Sequence, residues 1–318
     1  MFFNLLRPLK NKITLIDDKL AELKSEYELF LCEPFRLPKI VMIGGVGAGK
    51  SSVLEGLLER NLIPRGGDVM TRRPLVIKIV KTEDCAYGEF EHRPGVKFTK
   101  DYEMRREIES ETLQECGKKK MLSMKPIYLT IYDERASEEI TFVDLPGLSR
   151  IPREDQPENI EEITWRCCEE FIDENSIILA VVPANADLVN SEALKFIQEH
   201  EGLKERSLGI LSKLDLMDEG CVSDELSNSR ELFMFEELGW SGVVNRSVSD
   251  NRVNMSVEEA KRKELAFFEN HPVYSRVNKD RNEMRLNSLT CGIDAVEEKL
   301  SLVKKTNKFA FLYYFYFN

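Results

Sequence analysis

Eight consecutive residues, Gly44-Gly45-Val46-Gly47-Ala48-Gly49-Lys50-Ser51, satisfy the pattern G-x-x-x-x-G-K-[ST]. Small side chains at this spacing let backbone N–H groups face phosphate oxygens, while Lys50 reaches β and γ oxygens and the Ser51 hydroxyl can ligate Mg²⁺. Ser52 continues the loop as a further candidate contact. Downstream, Asp144-Leu145-Pro146-Gly147 offers a carboxylate able to hold Mg²⁺ through water and an N–H at Gly147 able to sense a γ phosphate. On its own a DxxG of this kind is more often a plain strand-to-loop turn. Ser212-Lys213-Leu214-Asp215 closely matches [NT]KxD. A single carboxylate at Asp215 accepts from both N1–H and the 2-amino group of guanine. Adenine offers neither arrangement, so this element selects GTP over ATP. Lys213 would lie along the base plane.

Each motif needs a strand to carry it. Ile40 to Ile43 is a short apolar run flanked by glycine, the pattern of a buried parallel strand feeding a turn and a helix from Ser51 to about Arg60. Further apolar runs predict strands at 75–80, 127–132, 140–143, 177–182, 208–211 and 242–244, with helical stretches between most of them. Asp144 follows the fourth of these seven and Ser212 the sixth, so the three motifs share one inferred sheet. The alternation predicts an α/β fold, a mainly parallel sheet covered by helices on both faces. Amphipathic spacing marks a helix over 12–31, and Ser256 with Glu259 forms a capping-box signature for another. A last helix is expected over about 294–305.

Composition narrows the class. In 318 residues, 56 acidic against 45 basic side chains leave a net charge of −11, which argues against nucleic acid as the main partner. Seven cysteines form no CxxC pair and the three histidines lie far apart, so a structural zinc site is not expected. The apolar opening of the chain is too short for a signal peptide, and the aromatic run 309–317 is too short to span a bilayer. A cytoplasmic protein is the expectation.

Lys50 and Asp144 are 94 residues apart, a longer gap than a minimal Ras-like domain needs. At this point the chain resembles the dynamin family. The resemblance is carried by Leu62-Ile63-Pro64-Arg65-Gly66, Thr71-Arg72-Arg73-Pro74-Leu75, Asp144-Leu145-Pro146-Gly147-Leu148 and Lys213-Leu214-Asp215-Leu216-Met217-Asp218-Glu219-Gly220, with Asn245-Arg246-Ser247 matching the family's base-binding loop. It covers roughly residues 35 to 302, and Arg73 is more like dynamins and their fission or sorting relatives than like Mx proteins.

The resemblance implies an extended P-loop GTPase domain over 35–290, an N-terminal helix of a small bundle over 1–34, and a C-terminal bundle helix with an aromatic tail over 291–318. Two helices simply packed on the domain are the alternative for the flanks. It further implies GTP hydrolysis with Lys50, Thr71 and Gly147 in the catalytic machinery. Ser51, Thr71 and Asp144 would hold Mg²⁺, and a homodimer would form through the GTPase face in the GTP state, with Asp187 and Asp218 near the partner. Membrane fission or vesicle trafficking comes with the family.

Several positions depart from the family pattern. Val46 and Gly47 stand where dynamins carry a Gln that helps position water and a Ser that helps hold a monovalent cation. Asp68 stands where they usually have Gly; it either rebuilds a cation site or is an exposed loop charge. A slow or inactive GTP-binding switch or assembly module is therefore the alternative to a GTPase. Without a stalk, a lipid-binding module or a lipidation signal, the chain is not expected to tubulate membranes unless its aromatic tail inserts.

Overall fold

The apolar residues that follow Lys39 become β1 (Lys39–Ile43), and its side chains divide between two cores. Ile40 and Met42 enter one apolar cluster, Val41 and Ile43 the other. A strand buried on both faces is the condition under which an unbroken apolar run forms strand rather than amphipathic alternation. Each such Ile or Val, fully withdrawn from water, contributes about 1.5–3 kcal/mol.

The computed structural model describes residues 39–64, 71–117, 121–136, 139–153, 155–217, 234–235, 238–272, 274–277 and 289–301. The helix expected over 12–31, the positions Asp68 and Asp218, and the aromatic tail lie outside these.

Eight more strands join β1: β2 (Leu75–Lys81), β3 (Tyr87–Phe90), β4 (Ile127–Asp133), β5 (Ile140–Asp144), β6 (Ile177–Pro183), β7 (Ser207–Ser212), β8 (Trp240–Gly242) and β9 (Thr290–Cys291). Among the described residues they form one sheet in the order β3-β4-β2-β5-β1-β6-β7-β8-β9. From β5 through β9 every pairing is parallel, as is β2 with β4; β3 with β4 and β2 with β5 are antiparallel.

Helices cover both faces, as the strand and helix alternation predicts. On one lie α1 (Lys50–Leu58), α2 (Asp101–Cys116) and the residues 293–301, here α8, which contribute Leu54, Met104 and Val296 to the first cluster. On the other lie α3 (Ile160–Phe171) and α4 (Glu192–Glu199), with Cys168 and Phe196 in the second cluster. A short α5 (Val248–Arg252) precedes α6 (Val257–Asn270) and α7 (Tyr274–Val277), whose Phe268 and Tyr274 also join the second cluster. Ser256 and Glu259 form the capping box at the start of α6. No helix among the described residues is long and apolar enough to cross a membrane.

Two details differ from the expectations set by sequence. The strand expected over 242–244 is instead Trp240–Gly242, with the Trp240 ring packed against Gly209 of β7, where a Cβ would come within 2.2 Å of it. Strand β3 was not foreseen. Beyond β9, α8 packs Ile293, Val296 and Leu300 into the first apolar cluster.

The reversal of β2 decides where Thr71 lies. Leu75 pairs with Asp144, so β2 starts where β5 ends. The residues just before Leu75 are thereby delivered to the carboxyl edge of the central parallel strands.

Candidate functional site

The chain leaves β1 at Ile43 and turns through Gly44 to Gly49 into α1. A Cβ on Gly44 would stand 2.5 Å from the Val181 carbonyl oxygen of β6, so glycine is what lets the turn pass this close to the sheet. Gly49, at the start of α1, has φ 98°, a conformation open mainly to glycine. Lys50 is buried, and its Nζ donates to the carbonyl oxygens of Gly44 (3.2 Å) and Gly45 (3.3 Å).

The other two motifs grip this loop from either side. The Leu148 N–H donates to Gly44 O (3.0 Å) and the Val46 N–H to Leu148 O (3.3 Å). Gly147 lies against them so tightly that a Cβ would come within 2.7 Å of Val46 Cα. From the opposite side Ser212 Oγ donates to Ala48 O (2.5 Å) and Lys213 Nζ to Gly47 O (2.9 Å). The turn after β5 and the turn after β7 are thus tied to the loop after β1, which is why motifs remote in sequence form one site.

Three oxygen donors meet beside Lys50. Ser51 Oγ donates to Asp144 Oδ2 (2.8 Å), and Thr71 Oγ1 donates to the same oxygen (3.1 Å) while lying 3.1 Å from Ser51 Oγ. Asp144 is fully buried, and its Oδ1 has no hydrogen-bond partner. A buried carboxylate oxygen left unmatched is costly. A hard cation drawn to two hydroxyls and a carboxylate removes that cost, so these residues fit Mg²⁺. Burial pushes the Asp144 carboxyl above its ordinary range and the Lys50 ammonium below its own, each charge restraining the other's shift.

The base side is less uniform. Lys213 adopts the left-handed conformation (φ 59°), leading into a 3₁₀ turn, Leu214–Leu216, that leaves Asp215 exposed and Leu214 buried over Gly242. Asn245 has a buried Nδ2 without a hydrogen-bond partner, 3.5 Å from where a Gly49 Cβ would be. Its neighbours are committed elsewhere. Arg246 pairs with Glu55 of α1 (2.8 Å), and Ser247 caps α5 through Asp250. Of the Asn245-Arg246-Ser247 element, therefore, Asn245 carries the side chain turned to the phosphate loop. Ser52 lies on α1 beside Asn245, lining a cavity with Glu264 and Ile293.

Two residues act here without a chemical signal in the sequence. Arg73 is buried and donates through Nε to Lys125 O (2.9 Å), through Nη1 to Glu111 O (2.8 Å) and through Nη2 to Pro126 O (3.2 Å), anchoring the segment that carries Thr71. Glu55 is the second. Asp187, expected near a partner subunit, is exposed and accepts from Val189 N–H (3.0 Å) and Asn190 Nδ2 (2.9 Å). Val46 is half-buried, and its side chain brings no polar atom to the space beside Gly147.

A profile described as the Dynamin family matches residues 40–214, and one described as the Dynamin central region matches 237–288. Dynamin-A of Dictyostelium discoideum is 38% identical over 264 residues, 80% of this chain and 31% of that protein. Dynamin-3 of Rattus norvegicus is 43% identical over 76% of this chain and 27% of its own length. Dynamin-related protein 5A of Glycine max is 39% identical over 76% of this chain and 40% of its own. The chain thus spans about a third of the length of the curated relatives it matches.

Proposed function

The chain belongs to the dynamin family, and from that premise we propose that it binds GTP with Mg²⁺ and hydrolyses the β–γ phosphoanhydride bond. The observation that carries this reading is the meeting of the Ser51 and Thr71 hydroxyls with the Asp144 carboxylate, within 3.1 Å of one another and beside the buried Lys50.

Each residue then has a definite task. Backbone N–H groups of the loop, Gly47, Gly49, Lys50 and Ser51 among them, cradle the phosphates, and Lys50 offsets charge on the β and γ oxygens. Ser51 and Thr71, with Asp144 through water, would hold Mg²⁺, and the ion would supply positive charge to the phosphates. The Gly147 N–H reports the γ phosphate, and Thr71 helps hold the attacking water. Asp215 reads the guanine edge, with Lys213 along the base and Asn245 closing the site. Attack by water on the γ phosphorus breaks its bond to the bridging oxygen and yields GDP and phosphate.

A second reading rests on Val46 and Gly47: a GTP-binding switch or assembly module with little turnover. Neither side chain can orient water or hold a monovalent cation. Single-turnover phosphate release, with and without Mg²⁺ and with K⁺ or Na⁺, separates the two. The hydrolase reading expects Mg²⁺-dependent release, abolished in Asp144→Asn, and faster in Val46→Gln by about tenfold or more. Tight GTP binding with no release under any condition would favour the switch.

Around this chemistry the family's biology supplies the remaining proposals. The protein works in the cytoplasm, its GTPase face pairs with a second copy in the GTP state, and the setting is membrane fission or vesicle trafficking. Nucleic acid is not a partner.

A further inference from the structure

Helix α1 starts with the phosphate-binding Lys50 and the metal ligand Ser51, and one turn later it buries an acid. Glu55 is 2% exposed, in a helix whose Val53, Leu54 and Leu58 are core residues. Its two oxygens are divided between two parts of the site. Oε1 accepts the backbone N–H of Ile63 (2.9 Å), in the chain that runs on toward Thr71. Oε2 accepts Nη2 of Arg246 (2.8 Å), and the two side chains are 3% and 5% exposed. Arg246 also donates through Nη1 to Met255 O (3.2 Å), which spans the turn between α5 and α6.

A carboxylate is expensive to bury, and this one is matched by a full positive charge and an amide. The match also sets geometry. Arg246 is bonded in sequence to Asn245, whose buried Nδ2 faces Gly49 of the phosphate loop. Holding the guanidinium on α1 therefore fixes the base-side loop relative to the loop that holds the phosphates. A shift of about an ångström at such a positioning contact is enough to spoil recognition.

We propose that Glu55 is a positioning residue for guanine selection, its buried carboxylate locking the Arg246 guanidinium so that the Asn245 loop meets the base bound by Asp215. Glu55 acts through Arg246, and Arg246 is then a strut rather than a base contact. The inference rests on the proposal that the chain binds GTP. It assigns base discrimination, and not phosphate affinity, to this pair.

The test measures affinity by calorimetry for GDP, ADP and inorganic tripolyphosphate in the wild type, Glu55→Gln, Arg246→Met and the double variant. Glu55→Gln removes the charge and leaves one acceptor oxygen for two donors, so the ion pair is lost and the Arg246 and Ile63 bonds cannot both be kept. The double variant removes both charges and leaves no buried ion unmatched. Expected is a fall of at least about tenfold in the GDP-to-ADP preference, the same in each single variant and in the double, because the two residues act as a unit. Tripolyphosphate affinity should stay within about twofold of wild type, which a merely loosened fold would not preserve.

Should Glu55→Gln fail to fold, Glu55→Asp keeps the charge but withdraws the oxygens by one methylene, and it should show the same loss of preference. Discrimination lost in Arg246→Met but intact in Glu55→Gln, or in Glu55→Asp where that variant replaces it, would mean that Arg246 touches the base directly and would overturn the inference. A wild type that binds ADP as well as GDP would instead remove the GTP reading itself.

Discussion

At the scale of single residues the site sets an exchange of acceptor for donor as its sharpest probe. Asp215 stands on the turn after β7, exposed and ready to receive two N–H groups of a purine edge. Asp215→Asn replaces an oxygen with an amide, so guanine should lose affinity by about 10- to 100-fold while xanthine, whose edge is complementary, gains. Displacement of a fluorescent GDP by GDP and by XDP measures both, and an unchanged ranking would remove Asp215 from the base site. The residues that could do chemistry were legible in the sequence because phosphate, Mg²⁺ and guanine restrict which side chains serve and at what spacing. Arg246 was legible only as part of a family motif. Its commitment to Glu55 was hidden, since a buried ion pair 191 residues apart in sequence leaves no local pattern. Arg73 was likewise legible only through the family motif; its anchoring role was hidden because its guanidinium serves three carbonyl oxygens, and backbone acceptors have no residue identity to read.

At the scale of elements, α6 carries a titratable clasp. Glu264 is buried, accepting the Val244 N–H (2.8 Å) on one oxygen and the Ile293 N–H (3.0 Å) at the start of α8 on the other. Burial raises its carboxyl to about 7, assisted by Asp294 and opposed by the two N–H bonds and by Lys261. Between about pH 4.5 and 7 the folded chain therefore retains a proton that the unfolded chain has released. The contribution is full below that window and is lost as pH rises through it, by about 3 kcal/mol at most. Urea midpoints followed from pH 4.5 to 8 should show this decline in the wild type and lack it in Glu264→Gln. Parallel profiles would mean that Glu264 stays ionised throughout.

The elements that sequence patterning captured are those whose burial forces a pattern. β1, β6 and β7 are enclosed on both faces and read as apolar runs. β3 is only Tyr87-Gly88-Glu89-Phe90 at an edge, and β9 only two residues, too short for periodicity to register. The direction of β2 was equally hidden, because an apolar strand reads alike from either end. It is the pairing of Leu75 with Asp144 that settles it.

At the scale of the whole molecule, self-association is the property to measure. The site lies at the carboxyl edge of the sheet, where the turns after β1, β5 and β7 meet. Asp187 lies on the exposed loop that follows β6, its carboxylate already oriented by Val189 and Asn190. Pairing across this edge should depend on the γ phosphate, as switch segments ordered by nucleotide do. Light scattering is expected to give a monomer with GDP and twice that mass with a transition-state mimic of GTP. One mass in both states would count against a nucleotide-gated dimer, and Asp187→Ala should weaken the pairing without altering GDP affinity.

The reversed strand β2 also has a mechanical consequence. Thr71 stands just ahead of its first residue, and the strand is laddered to β4 over seven paired positions and to β5 over five. A tug on Thr71 along the strand axis therefore loads all those rungs at once, in shear. Peeling would instead break them one at a time, each worth only about 1 kcal/mol. The strand resists stretching as a rod does. A pull felt where Thr71 meets Asp144 is therefore shared through β4 and β5 across the sheet instead of falling on a single bond.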